Sequence, residues 1–143
     1  MRTIKQLIEG KNKNLAAIAP TDTVLRALEV MAAYDVGALL VLDGERLAGV
    51  FSERDYARKV ILKGKSSRQT KVSEVMTGKV FYVTQESSVE ACMALMTEKH
   101  IRHLPVLDAH AKVLGVVSIG DVVKEMACQQ KTIISELEKY ITG

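Results

Sequence analysis

Tryptophan is absent from this 143-residue chain, and two Phe and four Tyr are its only aromatics. That scarcity excludes a core built on large rings and argues against a sheet on which nucleic-acid bases stack. Proline occurs twice and glycine nine times, too few for a Pro-rich or Gly-rich low-complexity segment. The two cysteines, Cys92 and Cys128, form no C-x-x-C pair. Cys92 falls on an apolar helix face and reads as core packing rather than redox or metal chemistry. No apolar run approaches the roughly 18 residues that a membrane-crossing helix needs. The Met1–Gly10 segment lacks the apolar stretch of a signal peptide, so a cytoplasmic location is expected.

What the chain does have is aliphatic residues and charge: 48% of it is hydrophobic and 26% charged, the balance of a globular protein with an aliphatic core. Net charge is a mild +3 but unevenly spread. Arg54, Arg58, Lys59, Lys63, Lys65, Arg68 and Lys71 crowd one stretch whose acids are Glu53 and Asp55. Such a run is either a solvated face or an electrostatic funnel for phosphate-bearing ligands or nucleic acid.

The chain repeats itself. Ile18-Ala-Pro-Thr-Asp-Thr-Val24 matches Val83-Thr-Gln-Glu-Ser-Ser-Val89, and Val24, Ala27, Leu28 and Met31 recur as Val89, Cys92, Met93 and Met96. The i, i+3, i+4, i+7 spacing predicts a helix burying one face in each copy. Thr21-Asp22-Thr23 and Ser87-Ser88 supply the caps, with Ser87-x-x-Glu90 in capping-box form. Val36–Leu42 and Ile101–Leu107 then read as buried strands, each followed by a polar turn and a second strand, Leu47–Phe51 or Val113–Val117. Each copy is strand, helix, hairpin, helix, and one copy alone has too little core to be stable. Residues 1–71 form the first copy with an N-terminal segment and a basic linker, and residues 72–143 the second with a long C-terminal helix. The Met1–Gly10 segment, with Ile4, Leu7 and Ile8, is predicted to be a short helix covering a sheet edge. Met126, Ile133, Ile134, Leu137, Tyr140 and Ile141 make a helical apolar stripe that either packs on that segment or forms a dimer contact.

The most informative motif is Gly-hydrophobic-hydrophobic-Ser-x-x-Asp, found as Gly49-Val-Phe-Ser52-Glu-Arg-Asp55 and as Gly115-Val-Val-Ser118-Ile-Gly-Asp121. Ser-x-x-acid at a strand-to-helix junction is a capping box. The same geometry suits a ligand, because a helix start offers N–H groups to an anion and a carboxylate can accept both hydroxyls of a ribose diol. The glycine before it marks either a close approach of a flat ring to the sheet or a tight contact between the repeats.

These residues, with Arg102-His-Leu-Pro-Val106, Phe51-Ser-Glu-Arg-Asp-Tyr-Ala-Arg58 and Val75-Met-Thr77, carry a family likeness. From about Ile18 to Asp121 the chain resembles a tandem pair of CBS domains, the module named after cystathionine β-synthase, in its stand-alone bacterial form. The resemblance implies an α/β fold of two pseudo-symmetric repeats packed as one module. It implies a regulatory, non-catalytic role in which an adenosine-containing ligand, AMP foremost but also ADP, ATP, NAD(H) or S-adenosylmethionine, binds in the cleft between the repeats. On this pattern Asp121 holds the ribose and Ser118 the phosphate, while Thr84 and Ile101-Arg102-His103 flank the base and Pro105 and Gly120 complete the main site. Ser52 and Asp55 form a second, weaker site, since its flanking residues Ala19, Gly37 and Ala38 offer no side-chain hydrogen bonds. Arg54 and Arg58 are candidate phosphate contacts. A homodimer and a regulated protein partner are also expected.

Two other functions compete with this one: nucleic-acid binding through the basic 54–71 stretch, and a purely structural dimerisation unit. His100 and His103 lack two further metal ligands nearby in sequence, so no metal site is predicted. No nucleophile-base grouping or Walker loop stands out, so neither is an enzymatic activity.

Overall fold

The computed structural model describes residues 2–9 and 15–142; Met1 and Gly10, which end the expected N-terminal helix, lie outside the described residues. The chain divides into two compact units. One gathers 2–9, Tyr82–Asp108 and 114–142; the other holds 15–81 and Ala109–Val113. The N-terminal segment therefore belongs with the second copy, and the turn of the second hairpin with the first.

In the unit of the first copy, β1 (Ala17–Ile18) pairs parallel with β2 (Ala38–Asp43), which pairs antiparallel with β3 (Arg46–Ser52). The hairpin turns through Gly44 at φ 68°, and a bulge between Val41 and Leu42 shifts its register. Helix α2 (Val24–Tyr34) is capped by Thr23, whose hydroxyl accepts the Arg26 N–H, and buries Val24, Ala27, Val30 and Met31. These side chains meet Leu39, Val41 and the fully buried Phe51 from the sheet. After β3 comes α3 (Glu53–Asp55), which runs into a π-helical segment, Tyr56–Ile61, closed by the Leu62 N–H on the Ala57 carbonyl. A short helix, α4 (Val72–Val75), seals the core with Val72 and Val75.

In the other unit, α5 (Val89–Lys99) buries Val89, Cys92 and Met96 as the spacing predicts. Strands β4 (His103–Leu107) and β5 (Val113–Ser118) make a two-stranded sheet, and α6 (Ile119–Thr142) packs on α5. At 24 residues α6 is about 36 Å long. Ile133, Ile134, Leu137, Tyr140 and Ile141 on it are exposed within this chain, so that stretch of the stripe does not cover the N-terminal segment. Among the described residues no helix is long and apolar enough to cross a membrane.

Two local expectations are corrected. The second copy opens not with a strand but with a single parallel bridge, Val83 to Val106. The reason is Pro105: at the matching position of the first copy the Leu40 N–H donates to the Ala16 carbonyl at 3.1 Å, and a proline has no N–H to give. As the Ala19 N–H does to Asp22 in the first copy, the Thr84 N–H turns to the Ser87 hydroxyl at 3.1 Å. That same bond commits Ser87, so the cap of α5 is Ser88, which accepts the Ala91 N–H, rather than the Ser87-x-x-Glu90 box.

The repeat extends further than Ile18. Helix α1 (Ile4–Glu9) buries Ile4 and Leu7 in one unit just as α4 buries Val72 and Val75 in the other. Ile4-Lys-Gln-Leu-Ile-Glu-Gly10 and Val72-Ser-Glu-Val-Met-Thr-Gly78 are the two forms of this segment. Each lies against the glycine of the Ser-x-x-Asp motif. A Cβ on Gly115 would stand 3.0 Å from the Ile8 Cβ, and one on Gly49 would stand 2.7 Å from the Thr77 carbonyl oxygen. Neither glycine makes room for a flat ring. Each admits a short helical segment of its own unit.

Candidate functional site

Both motif serines end a strand and start a helix. In the second copy the Asp121 Oδ2 accepts the Ser118 backbone N–H and hydroxyl, both at 2.8 Å, while the Ser118 Oγ accepts the Asp121 N–H at 3.1 Å. In the first copy the corresponding bonds of Ser52 and Asp55 are 3.0, 3.0 and 3.1 Å. The capping box is thus present in both copies, and each satisfies two orphan donors of its helix start.

Backbone bonds bring the neighbouring candidates to this junction. The Ile119 N–H donates to the Arg102 carbonyl at 2.8 Å, placing the opening of β4 beside the start of α6. Glu53 and Gly37 make the matching bond in the first copy at 3.0 Å. On the other side of β4, the Val83 N–H donates to the Pro105 carbonyl at 3.0 Å and the Leu107 N–H to the Val83 carbonyl at 2.9 Å. Thr84, Pro105, Arg102 and Ser118 are therefore carried by three adjacent extended segments of one compact unit. Arg102, His103 and Gly120 are exposed, Thr84, Ile101, Ser118 and Asp121 are partly buried, and Pro105 is buried. Pro105 consequently offers a rigid backbone rather than a contact surface.

The two carboxylates differ in what surrounds them. Asp55 is 8% exposed, and its Oδ1 accepts the Thr77 hydroxyl at 3.0 Å and faces the Lys59 ammonium at 3.0 Å. One turn after Asp121, in the place of Lys59, stands the buried Glu125. Its carboxylate receives the Arg2 backbone N–H at 2.8 Å and the Arg2 Nε at 2.9 Å. The Arg2 N–H and then its guanidinium hold the Glu125 carboxyl below the usual glutamate range. Arg2, Lys59 and Thr77 went unnoticed as partners of this site when only the sequence was read. Of the three, Lys59 alone carries a local signal, its i, i+4 spacing from Asp55.

Arg54 and Arg58 are exposed on the unit of the first copy. His100 ends α5 in the left-handed region at φ 56°, its N–H on the Met96 carbonyl, and no group of three or more potential metal ligands occurs among the described residues. Cys92 is fully buried, which pushes its thiol pKa up; Cys128 is exposed.

A doubled strand-to-helix junction, each with a Ser-x-x-Asp box, an incoming strand and a short helix seated on a glycine, defines a tandem-repeat α/β module. The CBS-domain family model matches residues 4–62 and 72–128, and the chain belongs to that family, whose paired modules are regulatory. The chain is 39% identical over 150 residues to the mitochondrial CBS domain-containing protein CBSX3 of Arabidopsis thaliana, covering 99% of this chain and 72% of that one. A solved CBS-domain protein of Burkholderia ambifaria superposes with a TM-score of 0.80 at 46% identity, covering 90% of this chain and 96% of that one. At 20% identity and a TM-score of 0.74, covering 87% and 99%, the fold is shared with the CBS domain pair of protein MJ0100, solved with 5′-methylthioadenosine and S-adenosyl-L-methionine.

Proposed function

We propose that this chain is a regulatory module that binds an adenosine-containing ligand, AMP, ADP, ATP, NAD(H) or S-adenosylmethionine, at the second copy. Asp121 accepts the ribose diol and Ser118 donates to a phosphate or its equivalent. Thr84, Ile101, Arg102 and His103 bound the base, with Pro105 and Gly120 setting the backbone around it. The observation that carries this reading is the Ile119 to Arg102 bond, which joins the polar opening of β4 to the Ser118–Asp121 helix start within one unit. The adenosine compounds held by MJ0100 support the ligand class at the level of fold.

Regulation follows from competition. The Ser118 hydroxyl is spent on Asp121 in the free chain, so a ligand that engages either group exchanges that bond for its own. A ligand shifts a conformational equilibrium only by the difference in its affinity for the two states. The exposed stripe Ile133, Ile134, Leu137 and Ile141 supports a homodimer as the working form. Arg54 and Arg58 are proposed phosphate partners, tested by whether Arg54→Ala and Arg58→Ala weaken ATP more than adenosine.

The test of ligand class is a thermal-shift panel of AMP, ADP, ATP, NADH and S-adenosylmethionine. Ligand at a hundred times its Kd stabilises the folded chain by about 2.7 kcal/mol, a readily measured rise in Tm. Saturable stabilisation by one or more of these compounds is expected. No shift with any of them contradicts the reading and leaves a structural role.

A further inference from the structure

We infer that the 61–71 loop is a docking surface for an anionic lipid bilayer, with Ile61 and Leu62 entering its interfacial layer and Lys63, Lys65, Arg68 and Lys71 meeting lipid phosphates. Residues 56–73 hold six cations and no acid. At the end of the π-helical segment Ile61 and Leu62 are 58% and 77% exposed, although the preceding Val60 is fully buried. The four named cations are exposed, and none of them is in an ion pair among the described residues.

The loop is held in shape. The Gly64 N–H donates to the Ile61 carbonyl at 3.2 Å and the Lys65 N–H to the Val60 carbonyl at 2.9 Å, a Schellman end with Gly64 at φ 67°. Further on, the Ser67 and Thr70 carbonyls accept the Leu25 and Val24 N–H groups, both at 2.9 Å, which ties the loop to the start of α2. A surface so fixed has little conformational entropy left to lose on docking. The fold does not demand the apolar pair: in the register of the Ser-x-x-Asp motif the second copy puts Ala127, Cys128 and Gln129 where the first has Ile61, Leu62 and Lys63. Cations alone would serve a nucleic-acid backbone, which gains nothing from two aliphatic side chains beside them. Those two are also too small a core for a protein interface of the usual size, about 1,200 Å² or more. An anionic bilayer uses both features, since its headgroups draw the cations and its acyl boundary takes the aliphatic tip.

The experiment co-sediments the full chain with phosphatidylcholine vesicles, with and without about one third phosphatidylglycerol. It is repeated for Ile61→Ser/Leu62→Ser and for Lys63→Gln/Lys65→Gln/Arg68→Gln. Wild type is expected on the anionic vesicles only, with affinity falling steeply as salt rises from about 50 to about 300 mM. The charge variant should lose about fivefold for each cation removed, and the serine pair about tenfold. Circular dichroism checks both folds, and Leu62→Ser alone serves if the pair unfolds. Equal binding to neutral vesicles, no binding to either kind, or binding untouched by the serine substitutions overturns the inference. Tighter binding of a duplex oligonucleotide than of anionic vesicles overturns it in favour of nucleic acid. A smaller particle mass of the serine variant by light scattering overturns it in favour of a contact between copies of the chain.

Discussion

The backbone N–H of Ile119 donates to the carbonyl of Arg102 at 2.8 Å, so Arg102 serves the fold through its main chain and leaves its side chain to other work. The guanidinium is exposed. Arg102→Ala should leave the stability of the fold within about 0.5 kcal/mol of wild type, as surface substitutions do. It should weaken the adenosine ligand by about tenfold, the loss of one hydrogen bond or stacking contact from a charged group. Parallel melting and calorimetry check this; equal affinity for both proteins removes Arg102 from the site.

Arg2 and Glu125 pin α1 to α6, and the bond should be visible in the pH dependence of stability. Because the Glu125 pKa is lowered on folding, its contribution is fully present above the ordinary glutamate value of about 4.3. It is lost as pH falls through the lowered folded value. Glu125→Gln and Arg2→Ala should therefore melt below wild type at neutral pH, with the gap closing under acid. A gap that is constant from pH 7 to pH 3 contradicts the ion pair.

Gly49→Ala should destabilise the chain by about 1–3 kcal/mol, the usual cost of forcing an extra carbon into a packed site. The new Cβ would meet the Thr77 carbonyl oxygen, which also accepts the Val50 N–H at 3.0 Å and so has little freedom to move. Gly115→Ala presses on Ile8 instead and should loosen α1, detected as faster hydrogen exchange in residues 4–9. Denaturant titration that leaves Gly49→Ala as stable as wild type contradicts the close approach.

The two thiols should separate cleanly by reactivity. The thiolate is the reacting species, and Cys92 is both buried and shifted toward its protonated form, whereas Cys128 is exposed. An aromatic disulfide reagent should titrate one thiol in the native chain and two in denaturant. Two fast thiols in the native state contradict the packing of α5.

Much of this was legible from the residues. The period of Val89, Cys92 and Met96 placed α5, and the doubled Ser-x-x-Asp located both helix starts, because both are local patterns with one dominant solution. The missed features depend on long-range partners. Arg2 and Glu125 lie 123 residues apart, and Asp55 and Thr77 lie 22 apart, with nothing in either neighbourhood naming the other. Ser87 was read as a cap because Ser-x-x-Glu is a good box; the Thr84 N–H won its hydroxyl instead. The motif glycines left a flat ring and a tight contact between the repeats equally open, because a glycine declares only that something comes close. The structure supplies what: Ile8 in one unit and the Met76–Thr77 segment in the other.

The central claim is that Asp121 holds the ribose of an adenosine ligand, and calorimetric titration of Asp121→Asn against wild type with AMP tests it most directly. The substitution keeps a cap-forming side chain but removes the charge that accepts a diol. The account predicts at least a tenfold loss of affinity, about 1.4 kcal/mol, with the fold retained. Equal affinity in the two proteins would contradict it.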